Sequence, residues 1–569
     1  MAIKKVSLVS LSFLILFSSC VIERADTVFI NGSIWTAVDG APRAEAIAVK
    51  GESLMAVGSN DELNSLKGPA TSVIDLEGKF VVPGMMDAHT HFMEGGFQLL
   101  RLNFRDVDSP EDFIFKIDSI AQTLEVGEWI LGGNWDHEKW GGELPHIDWV
   151  EDVSKDNPVY VHRVDLHMAF ANSKAMELAG ITPEVADPEG GVIDRDHLTG
   201  NPTGILRESE AKVLVERVIP NPTEDDRRRA FQKATDYALS MGITQVHNMC
   251  NINMCTWEDL QIIRSVHAEG GMRMRVYAVP WWTDWEKLIA LIEENGKGDE
   301  WLRWAAVKAQ MDGSLGSRTA WMHDPYKDDP STSGVLVEPD TTVFKRMMYE
   351  ADAAGIQLAI HAIGTRANEW LLDQFGKIRK KNGERPRRNR LEHAQHLRQS
   401  EIPRFGRDHV IASVQPFHII DDSRWAHKRI NEDVLKGTYA FRSLLEAGAT
   451  LAFGSDWTVA PISPILGIYG AVTRYTIDGS QPEGWYPEER LTVEQSLKAY
   501  TYGVAFAAFQ EDVLGTLEAG KLADFVILSD DLFMIQPQEI KNVGVLRTVV
   551  GGKTQFLSDE PGGKKPIWY

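Results

Sequence analysis

Eight short apolar runs in the middle of the chain restrict its fold more than any other feature: 80–85, 243–247, 275–279, 305–309, 357–361, 390–393, 410–414 and 450–453. Helical patterning fills the gaps between them. Thr223 with Asp226 reads as a helix cap, Phe231, Ala234, Ala238 and Leu239 follow at helical spacing, and Gly242 stops the pattern just before Ile243. A second helix from Thr342 to about Ala354 ends at Gly355 before the run 356–361. Repeated strand and helix units require a parallel sheet, and eight of them favour a (β/α)8 TIM barrel over a doubly wound sheet. The interval after the first run is much longer than the others and holds strand-like runs 129–131 and 159–161 and a helical stretch 173–179. An insertion over about 105–215 is expected there, placed among the βα loops as a lid or pocket wall.

The two ends of the chain have a different texture. Short β-prone pieces punctuated by glycine (27–30, 34–38, 46–49, 54–57 and 72–75) recur far downstream at 514–517, 524–528 and 545–550. The expectation is a composite β-sandwich from 26–83 and 506–560, with the barrel occupying 84–505. At the amino terminus, Lys4 and Lys5 precede an apolar run to Phe17, then Ser18, Ser19 and Cys20. This is too short to span a bilayer comfortably and has the form of a secretory signal over 1–20. Its ending resembles a bacterial lipoprotein cleavage site, with Phe17 where Leu is usual. The expectation is an exported lipoprotein on the cell envelope, touching the membrane only through a lipid on Cys20. Of three cysteines, Cys250 and Cys255 remain, a pair that would form one small-loop disulfide or ligate a metal. A formal charge of -23 argues against a nucleic-acid partner, and the basic run 377–390, which contains Gly383 and Pro386, reads as a solvated connection.

Polar residues mark the ends of the apolar runs. His89 and His91 follow the first, where period two turns both imidazoles to one side. Lys308 lies near the end of the fourth, His361 ends the fifth, His393 ends the sixth, and Asp456 follows the eighth. In a closed parallel barrel these ends converge on one face, and four imidazoles with a carboxylate suit zinc. A lysine has no lone pair for a metal while protonated. It becomes sensible if carbon dioxide adds to the neutral amine, giving a carbamate that bridges two ions.

The segments 83–91 (Pro-Gly-Met-Met-Asp-Ala-His-Thr-His), 307–320, 361–364 (His-Ala-Ile-Gly), 391–395 (Leu-Glu-His-Ala-Gln) and 454–456 (Gly-Ser-Asp) resemble the amidohydrolase superfamily, in particular the branch of N-substituted formamide deformylases. Segments 133–136, 172–175, 202–206 and 520–526 resemble that branch too, so the likeness covers nearly everything after the signal. One departure is Thr365, where relatives commonly carry Asp. The resemblance implies two divalent metals, zinc, held by His89, His91 and Asp456 on one side and His361 and His393 on the other, with carbamylated Lys308 between. It implies a bridging hydroxide attacking a small-molecule amide or formamide, with Asp456 as the catalytic base, and hydrolysis of a non-peptide carbon–nitrogen bond. A lactonase, cyclic amidase or N-deacetylase on the same site, or a lipoprotein that only binds metal or ligand, are the alternatives. Trp135, His167, Trp282, Arg318 and Trp457 are expected to bind substrate.

Overall fold

The structure, a computed structural model, describes residues 23–163, 167–251, 256–338 and 340–567. The expected signal over 1–20, with Cys20, lies outside the described residues. Cys250 is in a disulfide; Cys255 is also outside them. No helix among the described residues is long and apolar enough to cross a membrane.

The middle of the chain forms two parallel sheets. One has four strands in the order Leu302–Trp304, Arg275–Val279, Ile243–Met249, Met85–Thr90. The other runs Ala306–Gln310, Gln357–Ala362, Arg390–His393, Ile411–Val414, Leu451–Phe453. Most of these strands are buried along their length, with Arg303, Gln310 and His361 only partly so, as strands covered on both faces should be. Single parallel bridges, Thr90 with Trp457 and Trp281 with Lys308, join the edges of the two sheets without a continuous ladder. The helix Glu224–Ser240 starts on the Thr223–Asp226 capping box, and Gly242, at φ +81°, turns the chain into the next strand.

The first apolar run is not one strand. Phe80–Pro83 belongs to a sheet at the end of the molecule, and Met85–Thr90 enters the parallel sheet. Gly84 makes the change possible, since a Cβ there would lie 2.3 Å from the Thr244 hydroxyl. An uninterrupted apolar pattern carries no mark of a change of sheet, so the sequence merged the two.

Both ends of the chain meet in that end sheet, ordered Lys553–Leu557, Val545–Val550, Phe525–Leu528, Phe80–Pro83, Ser33–Trp35, Arg43–Ala44. A second sheet, Ser53–Gly58, Ala46–Lys50, Thr27–Ile30, Ser72–Asp75, packs on it through one apolar core in which Phe29 meets Phe525 edge-on. Residues 514–517 are not a strand. Leu517 inserts into that core, whereas Ala507 and Leu514 pack with Met86, Ala88 and Ile411 of the parallel sheets. Arg275 and Asp524, both buried, form a two-pronged ion pair at 2.7 and 2.9 Å that ties the two regions together.

The inserted residues make their own six-stranded sheet, from Leu102–Asn103 to Pro202–Arg207, with helices Pro110–Ala121, Ile147–Ser154, Ser173–Leu178 and Glu208–Glu216. Two apolar clusters built from these residues, around Phe113 and around Met176, give it a separate core.

Candidate metal centre

His89 lies inside the strand Met85–Thr90, and His91 follows it as the N-cap of the helix Phe92–Leu100. Their rings stand 5.6 Å apart. Asp87, two residues before His89, ties this strand end to the eighth: its carboxylate accepts the backbone N–H groups of His89 and Ser455, each at 3.0 Å. Burial pushes that carboxyl up to about 7. Gly454 must be glycine, because a Cβ would come within 2.5 Å of the His89 nitrogen. Asp312 plays a matching part between the fourth and fifth strands, accepting from the backbone of Trp321, Ile363 and Gly364 at 2.7–3.0 Å.

The structure brings all six expected side chains together. His91 Nε2 is 3.2 Å and His89 Nε2 3.5 Å from Asp456 Oδ1. Lys308 Nζ is 3.0 Å from His89 Nε2, and the His393 ring stands 5.0 Å from His89 and 4.4 Å from His361. His393 and Asp456 hold left-handed backbone, φ 72° and 60°, a strain that recurs where function fixes side-chain direction.

The protonation pattern is set from behind. His89 Nδ1 donates to Glu392 Oε2 at 2.7 Å, His91 Nδ1 to the Met249 carbonyl at 2.9 Å, and His393 Nδ1 to Gln415 Oε1 at 2.8 Å. Each partner is an acceptor, so each neutral ring carries its proton on Nδ1 and turns a bare Nε2 toward Asp456. Burial, with the Lys308 ammonium adding to it, holds His89 down to about 4 and His361 to about 3, and burial keeps His393 well below its ordinary value. Burial also lowers Lys308 to about 8. His89 and His91 with Asp456 form one group able to hold a divalent cation, and His393 with His418 and the same Asp456 forms another.

Glu392, within a motif already noted but given no role from the sequence, anchors this arrangement. Its carboxylate also ion-pairs with Arg390, whose Nη2 donates to Oε2 at 3.1 Å. Burial works against its charge, but Arg390, His89 and Lys308 outweigh that and hold it well below the usual carboxylate range. His418 was missed. It joins His393 and Asp456 in a group able to hold a cation, and its buried Nε2 has no hydrogen-bond partner. A strand-end rule extended four residues past Val414 would have found it, but Pro416 hid the continuation.

A cavity of about 380 Å³ opens over the cluster, lined among others by His91, Lys308, His361, His393, His418 and Asp456. None of the five residues expected to bind substrate lines it. Trp135 is fully buried in the core of the insertion, its Nε1–H given to the Val161 carbonyl. Trp282 packs on Phe344, and Trp457 is buried against Phe92 and Tyr237. His167 is exposed beside Glu208 at 3.0 Å, and Arg318 is turned to Asp328. Large side chains near strand ends serve packing as readily as binding, and sequence does not separate the two. The aromatic lining comes instead from Trp281, Phe417 and Trp425. Among the described residues, none of 102–216 lines the cavity. Thr365, the departure from relatives, bonds His323 outside the cavity.

The sequence profile of the amidohydrolase family matches residues 72–556, and the chain belongs to that family. The protein LONG AFTER FAR-RED 3 of Arabidopsis thaliana is 39% identical over 541 residues, covering 94% of this chain and 92% of its own. An N-substituted formamide deformylase of Arthrobacter pascens is 28% identical over 565 residues, covering 94% and 99%. An uncharacterized metal-dependent hydrolase from Pyrococcus furiosus, solved as a crystal structure, superposes with a TM-score of 0.73 at 30% identity, covering 89% of this chain and 99% of its own. The family read from the motifs is therefore the right one.

Proposed function

We propose that this protein is a metal-dependent hydrolase of a non-peptide carbon–nitrogen bond of the amide or formamide type in a small molecule. The observation that carries the proposal is the set of bare imidazole nitrogens turned on Asp456 by acceptors behind them. The relative named as a formamide deformylase supports the bond type. His89, His91 and Asp456 would hold one divalent ion, and His361 and His393 a second, with zinc the natural choice for such donors. Lys308 would join the two as a carbamate: burial to about 8 leaves roughly one amine in ten neutral at pH 7, free to form a carbon–nitrogen bond to carbon dioxide with loss of a proton. The ions supply Lewis acidity for a carbonyl and make water acidic enough to deprotonate near neutral pH.

The chain's own groups do the rest. Asp456 takes the water's proton on its carboxylate and delivers it to the leaving nitrogen, general acid–base work that its buried position on a strained turn suits. Glu392 keeps the His89 ring oriented throughout. In this reading the two parallel sheets are halves of one (β/α)8 barrel, with Leu302–Trp304 and Ala306–Gln310, one residue apart, together forming its fourth strand, and the two end sheets a composite sandwich. The cellular reading is an exported lipoprotein anchored through Cys20.

Metal content per chain, with intact mass under gentle conditions, tests the proposal. Two ions per chain and a mass gain of one carbon dioxide are expected, both lost in Lys308→Ala, with the metal content alone restored by a short carboxylic acid. No metal after reconstitution would sink the mechanism.

A further inference from the structure

The cavity has a second wall, built by the segment that follows Ile411–Val414. Asp422 ends the short helix His418–Asp422 there and is deeply but not completely buried, open to the cavity. Its Oδ2 accepts the Tyr439 hydroxyl at 2.6 Å and the Gln395 amide at 3.0 Å. Both bonds fall on one oxygen, and neither partner carries charge. Neighbouring Asp421 is claimed by Arg424, but among the described residues Asp422 has no arginine or lysine. A carboxylate so placed is costly unless a cation meets it, and burial raises its pKa accordingly. Two further observations point to a ligand. The buried His418 Nε2, on the same helix and lining the same cavity, has no hydrogen-bond partner. Trp281, Phe417 and Trp425 line the cavity as well, and aromatic faces favour cations.

We infer that Asp422 is a specificity-determining residue, and that the substrate carries a protonated amine held by Asp422 while its amide or formamide carbonyl lies at the Asp456 cluster. This rests on the hydrolase reading and adds the substrate class. The oxygen Oδ1, without a hydrogen-bond donor among the described residues, accepts an N–H of the ammonium, the aromatic faces cover its methylene chain, and the reacting carbonyl lies across the cavity. Other positive charge in the cavity, Lys308 and the metal ions of the proposed site, belongs with the Asp456 cluster, while His418 lies on the same helix as Asp422; were any of these to satisfy Asp422, the pocket would show no preference for cations.

The test uses two substrates of equal size, mono-N-formyl-1,4-diaminobutane and N-pentylformamide, with fully metallated protein. The expected result is that kcat/KM favours the diamine derivative by at least about tenfold, and that Asp422→Asn removes this preference while changing the neutral substrate by less than about threefold. Metal content and thermal midpoint of the variant establish that it is folded. A wild-type protein with no preference overturns the inference whether or not the variant folds, as does a preference that survives Asp422→Asn. If the metallated protein hydrolyses neither compound, the hydrolase reading fails. The pocket is then judged by calorimetry with butylammonium against butanol, where the same tenfold preference, lost in Asp422→Asn, is required.

Discussion

The two walls of the cavity are made differently. One consists of His91, Lys308, His361, His393 and Asp456, each set by the register of a parallel strand or the first turn beyond it. The other consists of Phe417, His418, Asp422 and Trp425, carried by short helical turns after a single strand. On the first, ladder hydrogen bonds fix side-chain direction to within a fraction of an ångström and support a fixed chemical step. On the second, direction depends on loop packing, which can change without disturbing the sheets. Under the proposed function this is a division of labour, in which the strand ends would hold the chemistry and the loop after the seventh strand the choice of substrate.

Asp456→Asn strikes the first wall hardest. Turnover should fall by roughly 10³-fold with metal content little changed, measured by steady-state kinetics beside metal analysis; parallel loss of both would reduce Asp456 to a ligand. Glu392→Gln should act one layer back, weakening metal binding by about 10–100-fold in a metal-buffered titration, because the charged acceptor behind His89 becomes a neutral amide and Arg390 loses its ion-pair partner. His418→Asn, on the second wall, should keep the full metal complement and raise KM by several-fold. Loss of one metal ion would move His418 to the first wall and break the comparison. Trp135→Phe should leave kcat and KM within about twofold and cost about 1 kcal/mol in denaturant unfolding, through the lost bond to Val161. A larger kinetic effect would bring the insertion into the site.

The same division explains what the sequence disclosed. His89, His361, His393 and Asp456 stand at the ends of apolar runs, and a parallel sheet gathers such ends whatever its loops do. The family followed from their order together with glycines such as Gly454, whose missing side chain makes room for the His89 backbone. Glu392 was in view without a role, since nothing local shows that it meets a ring 303 positions away. His418 and Asp422 lie beyond a proline in a segment without period, and only the folded chain shows them lining one cavity with His393 and Asp456. The aromatic candidates erred for the converse reason: Trp457 and Trp135 have the right address in the chain and the wrong neighbours in space. The split of 80–85 into two strands escaped because burial is continuous across it.

That split also sets an order of events. Phe80–Pro83 waits for Phe525–Leu528, with Val82 paired to Val526. At about 5–20 residues per second, a ribosome needs roughly 20–90 s to supply that partner. The insertion, whose pairings lie close together in the chain, can finish first. Until synthesis is nearly complete the sheet that closes the molecule is an open edge, and any chain released short of Phe525 keeps an apolar strand bare to pair with its neighbours.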